Sequence, residues 1–272
     1  MPAGRRAGEP PRVHAGVRTL LAALAALLLP QCALVERAGH PQLISAGPFS
    51  SIHLYRPRGP ARRLALVLSG DGGWSYNIGS IARQLASHAT LVAGIDTREW
   101  LAHLASVPES CVSPGAELAA LAQELEQRYS LTRQPPVLIG HSAGATLAYV
   151  AVAQAPAGSF AGALTLSFCA DLDLQKPLCR AAAVPSSPRS GGVRLLPPAS
   201  LAAPWVALHG LADTVCPASD SQSFAGALPG ARFVPLPQVT HSYQYRSSWW
   251  GHFAAAYAQL AGSGAAPAAA RP

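Results

Sequence analysis

Charge is scarce in this sequence: Asp, Glu, Lys and Arg make up 12% of its 272 residues, and Lys176 is the only lysine. With so little charge and 50% hydrophobic residues, the chain is not a disordered tail. It is long enough to bury one large core, and one main domain is expected. The formal charge is +7, yet residues 1–32 hold four arginines against one acid, which leaves 16 basic against 12 acidic residues elsewhere. No Lys/Arg stripe with interleaved aromatics is present, so nucleic acid is not an expected partner. There is no Cys-x-x-Cys pair and no grouped histidine spacing, so neither a metal nor an organic cofactor is expected. Internal repeats and an interdomain linker are missing as well.

Long hydrophobic runs are also few. The longest near the N-terminus, residues 19–29, has 11 residues, too short to be read as a membrane span. Arg5, Arg6, Arg12 and Arg18 precede it, and a basic stretch followed by a short apolar one is the pattern of a secretory signal, assigned to residues 1–32. Arg5-Arg6 lacks the surroundings of a twin-arginine signal. Cys32 follows directly, where a bacterial lipoprotein is cleaved and acylated, but Pro30-Gln31 are poor residues ahead of such a cysteine, and a lipid anchor is the minor alternative. Export to the periplasm is therefore the expected localisation. The other cysteines, Cys111, Cys169, Cys179 and Cys216, form an even set, which in an exported chain favours disulfides over free thiols. Three pairings are open. The easiest local loop joins Cys169 to Cys179 across the turn-like stretch 171–177 and leaves Cys111 with Cys216.

Past the signal, residues 49–55 alternate and read as an edge strand, followed by a Pro/Gly/Arg turn at 57–63. Short continuous apolar runs at 64–68, 91–95, 137–139, 163–168 and 206–208 read as strands covered on both faces. Residues 232–237 are a further strand candidate. Helix-period patterns lie at 78–86, 117–129 and 143–152, with a closing helix at 249–260. Strand and helix alternate, which predicts an α/β fold: a mostly parallel sheet with helices on both faces, spanning residues 48–261. Residues 181–204, rich in Ala, Pro, Ser and Gly, read as a long loop or cap. Residues 262–272 read as a frayed tail.

The residues that carry chemistry stand at the ends of these strands. Gly140-His141-Ser142-Ala143-Gly144 follows the apolar run 136–139 and precedes a helical pattern. This is the strand-to-helix setting of an exposed serine nucleophile, with the glycines relieving crowding at a strained turn. A serine hydroxyl is barely nucleophilic at neutral pH and needs a base within hydrogen-bond reach and donors for an oxyanion. Asp213, just past the strand at 206–208, and His241, just past the strand at 232–237, follow the serine in the chain order of an α/β-hydrolase. Ser142 would attack, His241 would take its proton and Asp213 would hold the histidine's tautomer. Asp171, Asp173 and Asp220 compete as the acid, and His141 and His209 as the base, but their positions suit the roles less well. His53, His88, His103 and His252 read as surface or satisfied histidines, and Trp74, Trp205, Trp249 and Trp250 as core or pocket wall. The N–H of Ala143 is the expected first oxyanion donor. The second comes from the turn Ser69-Gly70-Asp71-Gly72-Gly73-Trp74 after the strand at 64–68, through the N–H of Asp71 with Gly72 as substitute.

Over roughly residues 62–260 the chain resembles the bacterial virulence protein family VirJ, whose related domain forms the C-terminal half of AcvB proteins. The resemblance rests on Leu68-Ser69-Gly70-Asp71-Gly72-Gly73-Trp74, Gly94-Ile95-Asp96-Thr97-Arg98, the serine turn, Phe168-Cys169-Ala170-Asp171 and Val239-Thr240-His241. At the serine turn, Ala143 and Ala145-Thr146 depart from the better-known members. The resemblance implies a periplasmic α/β-hydrolase; AcvB-type members are implied to hydrolyse aminoacylated phosphatidylglycerol, and VirJ is associated with type IV secretion. The combined expectation is an exported serine hydrolase that forms a covalent acyl-enzyme on a lipid or small ester, with contact to a membrane surface. The alternative is a non-enzymatic envelope protein that uses the fold as a scaffold for secretion-system partners.

Overall fold

The apolar runs become strands of one central sheet in the computed structural model, which describes residues 40–180, 183–244 and 246–263. The expected signal at 1–32, Cys32 and the end of the expected tail lie outside the described residues. In chain order the strands are β1 (Gln42–Ala46), β2 (Phe49–Tyr55), β3 (Arg63–Leu68), β4 (Thr90–Ile95), β5 (Val137–His141), β6 (Gly162–Leu166), β7 (Asp171–Leu172), β8 (Ser186–Arg189), β9 (Gly192–Leu195), β10 (Trp205–Gly210) and β11 (Arg232–Leu236). The helices are α1 (Tyr76–Ala86), α2 (Thr97–Ser106), α3 (Pro114–Arg128), α4 (Ala143–Gln154), α5 (Ala218–Gly226) and α6 (Trp250–Ser263).

Eight strands pair in the order β1-β2-β4-β3-β5-β6-β10-β11. All pairs from β4 to β11 are parallel, while β1 and β2 run antiparallel at one end. Residues 49–55 are a strand as expected, but not the edge: β1 pairs outside them and turns only Ile44 and Ala46 inward. A five-residue strand with two buried positions leaves too little alternation to be read from sequence.

A parallel strand in the middle of such a sheet is covered on both faces, so it carries no polar side. Leu64 to Leu68 of β3 and all of β4 are buried accordingly. Helices α2, α3, α4 and α5 contribute Trp100, Leu118, Tyr149 and Phe224 to the core on one face. On the other face α1 and α6 contribute Ile81, Leu85, Phe253 and Leu260. Helix α4 is apolar around its circumference and almost wholly buried, as a helix lying between sheet and other helices must be. Tyr149, Phe168, Trp205 and Phe224 form a ring cluster at its side, with centroids 4.8 to 5.9 Å apart. Trp205 and Trp249 are core residues, as expected.

Residues 181–204 are not a plain loop. The stretches 186–189 and 192–195 form a hairpin that pairs with β7 as a small antiparallel sheet. Polar Ser186 and Arg189 and a proline at 188 hid that strand from a hydrophobic reading. Helix α2 is also absent from the helix-period pattern. Asp96 caps α2 by accepting from the N–H groups of Arg98 and Glu99, a local signal without a long apolar stripe behind it.

The disulfides pair differently from the easiest local loop: Cys111 with Cys179, and Cys169 with Cys216, at Cα separations of 5.1 and 5.4 Å. Chain proximity misled because β7 carries the chain away from Cys169 before Cys179 is reached. Residues Val112 and Leu178 meet as a bridge and set Cys111 against Cys179 instead.

Candidate active site

Parallel strands deliver their carboxyl ends to one edge of the sheet, and ligands of open α/β sheets bind in the crevice there. Here that edge collects residues 69–74 after β3, Asp96 and Thr97 after β4, Ser142 after β5, Ser167 after β6, Asp213 after β10 and His241 after β11.

Ser142 stands between β5 and α4 with φ 55° and ψ −126°. A non-glycine residue there is strained by about 1–3 kcal/mol and persists only where the surroundings enforce it. The flanking glycines are part of that enforcement. A Cβ on Gly140 would lie 2.1 Å from the carbonyl oxygen of Gly144, and one on Gly144 2.1 Å from the carbonyl oxygen of Ser69.

The Ser142 hydroxyl faces the ring of His241, Oγ to Nε2 3.0 Å. The opposite ring nitrogen, Nδ1–H, donates to Asp213 Oδ2 at 2.9 Å. The structure thus brings the three residues singled out by chain order into one hydrogen-bonded line. Asp213 is buried, and burial alone would raise its carboxyl pKa. Hydrogen bonds outweigh it. Ser167 Oγ–H donates to Oδ2, the N–H groups of Val215 and Cys216 donate to Oδ1, and with His241 they hold the carboxyl below the ordinary carboxylate value.

The rival histidines lie beside this line rather than in it. His209 is fully buried; its Nε2–H donates to the carbonyl of Cys216 at 2.8 Å, and the same nitrogen is 3.4 Å from Asp213 Oδ2. Burial lowers its pKa despite the nearby carboxylate, so the ring is a neutral neighbour. His141 turns its Nε2–H to the main-chain carbonyl of His241 at 2.7 Å. His88 and His252 are exposed, His103 lies 3.7 Å from Glu117, and His53 stacks on Trp74 at 4.8 Å.

A cavity of about 250 Å³ opens in front of Ser142. Asp71 and Ala143 line it with Ser142, whereas Gly72 does not. Ala143 is the first residue of α4, where a main-chain N–H has no partner within the helix. Phe168, Cys169, Val215 and Cys216 supply the apolar wall. Leu101, Ala170 and Pro217 add to that wall, and a charged group, Asp171, Asp173, Arg189, Arg194 and Asp220, comes from the small sheet and the start of α5. Arg194 bridges Asp171 at 2.9 Å and Asp220 at 3.2 Å, and Arg189 pairs with Asp173. The three aspartates set aside as triad acids therefore belong to the pocket wall. Sequence reading missed both arginines, Ser167 and the contact made by His141, because none is adjacent to its partner in the chain. Among the described residues, no three His, Cys, Asp or Glu side chains are grouped as a metal site requires.

The sequence profile of the family described as "Bacterial virulence protein (VirJ)" matches residues 62–165. No curated protein matches the chain. Among solved structures, Est1E from Butyrivibrio proteoclasticus is 15% identical with a TM-score of 0.54, covering 82% of this chain and 98% of its own. The native thermophilic esterase Est2 of Thermogutta terrifontis is 16% identical with a TM-score of 0.59, covering 86% and 96%. A puromycin-hydrolyzing peptidase of Mycobacterium tuberculosis is 15% identical with a TM-score of 0.59, and the match spans 41% of that longer chain. At such identities the likeness is one of fold. The chain has the α/β-hydrolase fold, and over residues 62–165 it is similar to the bacterial virulence protein VirJ family.

Proposed function

We propose that the protein is an exported serine hydrolase that cleaves an ester through a covalent acyl-enzyme. The observation that carries this reading is the hydrogen-bonded line from Ser142 through His241 to Asp213. His241 Nε2 accepts the Ser142 proton as Oγ attacks the ester carbonyl, and the N–H groups of Ala143 and Asp71 receive the oxyanion. The imidazolium that forms is balanced by ionised Asp213, which its hydrogen bonds keep charged. His241 then returns the proton to the departing alcohol. Water repeats the sequence on the acyl-enzyme and frees Ser142.

The substrate reading is an aminoacyl or acyl ester of a membrane lipid, with aminoacyl-phosphatidylglycerol as the leading instance. Two observations support it. The wall facing Ser142 carries three aspartates and two arginines, which suits a polar, charged ester group better than a long alkyl chain. The resemblance to AcvB-type domains implies the same substrate class. Two disulfides agree with an oxidising compartment such as the periplasm.

The test pairs a fluorophosphonate probe with liposomes containing aminoacyl-phosphatidylglycerol. The wild type is expected to be labelled and to release the amino acid, and Ser142→Ala to do neither. Equal labelling of Ser142→Ala, or an unlabelled wild type, would show the nucleophile to be misassigned. Labelling without lipid hydrolysis, but with turnover of p-nitrophenyl butyrate, would point to a small soluble ester instead. The family description, a bacterial virulence protein, is also compatible with a second reading, a scaffold for envelope or secretion-system proteins. Full rescue of a deletion strain by Ser142→Ala would support it.

A further inference from the structure

The turn that offers Asp71 to the pocket contains three glycines among its six residues, Ser69-Gly70-Asp71-Gly72-Gly73-Trp74. Glycine gives the backbone the freedom to come close to a ligand and, for the same reason, does nothing to hold it there. Within the turn itself, the Gly73 N–H donates to the carbonyl of Gly70 at 3.0 Å. That bond closes the turn without orienting it toward Ser142. A preorganised donor requires orientation, so the restraint must come from outside.

It comes from the stretch after β4, Asp96-Thr97-Arg98. The N–H of Trp74 donates to Asp96 Oδ2 at 2.8 Å, at the far end of the turn. At the near end the N–H of Thr97 donates to Ser69 Oγ at 3.0 Å. Gly73, with φ +90°, passes so close that a Cβ there would lie 2.9 Å from Asp96 Oδ2 and 2.8 Å from Arg98 Nη2. The Trp74 indole is wedged against β4, where a Cβ on Gly94 would lie 2.2 Å from the ring. Its Nε1–H reaches Tyr55 Oη at 3.3 Å. On the opposite side, the carbonyl of Ser69 backs onto Gly144 at the start of α4, next to the other donor, Ala143.

Asp96 is the node of this arrangement. Its carboxylate is 7% exposed and divides its oxygens: Oδ1 accepts from Arg98 and Glu99 and starts α2, while Oδ2 accepts from Trp74. A residue needed only as a cap would serve with Oδ1 alone. We infer that Asp96 is a positioning residue for the oxyanion site, holding the 69–74 turn so that the Asp71 N–H meets the substrate oxygen. This rests on the serine-hydrolase reading. It also gives the two motifs Ser-Gly-Asp-Gly-Gly-Trp and Gly-Ile-Asp-Thr-Arg a single joint function.

Asp96→Asn separates the two roles. Asparagine caps a helix as well as aspartate does, but its amide places a second donor against the Trp74 N–H, or frees that N–H altogether. The turn would be displaced rather than deleted, so the loss should be smaller than the roughly 100- to 1,000-fold seen when an oxyanion donor is removed. With p-nitrophenyl butyrate as substrate, kcat is expected to fall about 10- to 100-fold with KM within about threefold of wild type. Phenylboronic acid, whose serine adduct is tetrahedral and places an oxygen in the oxyanion site, should lose affinity by the same factor as kcat/KM. Asp96→Glu, which keeps the acceptor, should recover part of both. If Asp96→Asn does not fold, Gly73→Ala carries the test, since it keeps Asp96 and the cap but pushes the turn away, and the same paired losses are expected. Wild-type kcat/KM in a folded variant, or a fall in kcat with boronate affinity intact, would overturn the inference and leave Asp96 a helix cap. A wild type that fluorophosphonate does not label would overturn the serine-hydrolase reading and this inference together.

Discussion

The ring nitrogen Nε2 of His141 lies 2.7 Å from the main-chain carbonyl oxygen of His241, so the residue before Ser142 holds the backbone of the histidine that Ser142 faces. The two rings sit 5.1 Å apart, and Tyr243 meets His141 edge-on at 5.8 Å. The loop after β11 is thereby tied to the end of β5, whichever way the His241 side chain rotates.

Replacing His141 by Phe keeps a ring of similar size but leaves that carbonyl without its donor. An unsatisfied buried acceptor costs about 1–3 kcal/mol, so thermal unfolding should move down measurably. Under the proposed ester hydrolysis, kcat should fall by about tenfold, a misplacement penalty well below loss of His241 itself. His141→Gln, which retains an N–H donor, should recover part of both. Unfolding curves and kcat values that match wild type for His141→Phe would show the contact to be incidental.

Stability should rise with pH through the range of histidine titration. Burial lowers the pKa values of both His141 and His209 from the ordinary 6.5. Below that value the unfolded chain binds protons that the folded chain refuses, so acid favours unfolding and the gain levels off above it. Asp213 acts in a separate window: its carboxyl is depressed from 3.8, so its contribution is complete above that value and is lost only as pH falls through the folded-state pKa. Melting temperatures from pH 5 to 8 check the first window. His209→Gln should flatten the slope, and a melting temperature that increases toward pH 5 would contradict the assignment.

Ser167 sits with φ 53°, its N–H meeting Tyr243 Oη at 3.2 Å and its hydroxyl donating to Asp213 Oδ2. Ser167→Ala removes one of the bonds that hold the Asp213 pKa down, so that pKa rises and the acid unfolding midpoint moves to higher pH. Activity should fall by roughly tenfold, far less than the ~10⁴-fold typical of neutralising the triad acid itself. Comparing Ser167→Ala with Asp213→Asn in kcat and acid denaturation tests this ordering.

The two disulfides should separate in effect. They close segments of 68 and 47 residues, and chain-entropy estimates give roughly 4 kcal/mol for each. Cys111 and Cys179 lie outside the Ser142 pocket, whereas Cys169 and Cys216 line it. Cys216 also donates its N–H to Asp213. Cys111→Ser/Cys179→Ser should therefore lose stability with kcat/KM near wild type, while Cys169→Ser/Cys216→Ser should lose both. Equal kinetic losses in urea-free buffer would refute the distinction.

Elements with strong local signals were legible in the sequence. The core strands β3 to β6 and β10 are continuous apolar runs, and α4 follows a serine flanked by glycines, so their order announced an α/β sheet. Short or polar elements were not. β1 buries two side chains, β8 is Ser-Ser-Pro-Arg, and α2 owes its place to the Asp96 cap and packing rather than to an apolar stripe. Ser142, Asp213 and His241 could be selected because chain order and strand ends are one-dimensional facts. Ser167, Arg189 and Arg194 could not, since their partners lie 16 to 46 residues away.

By itself, then, the sequence determined the alternation that builds the sheet and that Ser142, Asp213 and His241 stand at strand ends, because hydrophobic period and glycine placement act over a few neighbouring residues. Tertiary structure alone decided which cysteines pair, which charges face Ser142, and how the glycine-rich turn is held. Those outcomes depend on distances between strand ends, and parallel pairing sets such distances only once the whole sheet has formed.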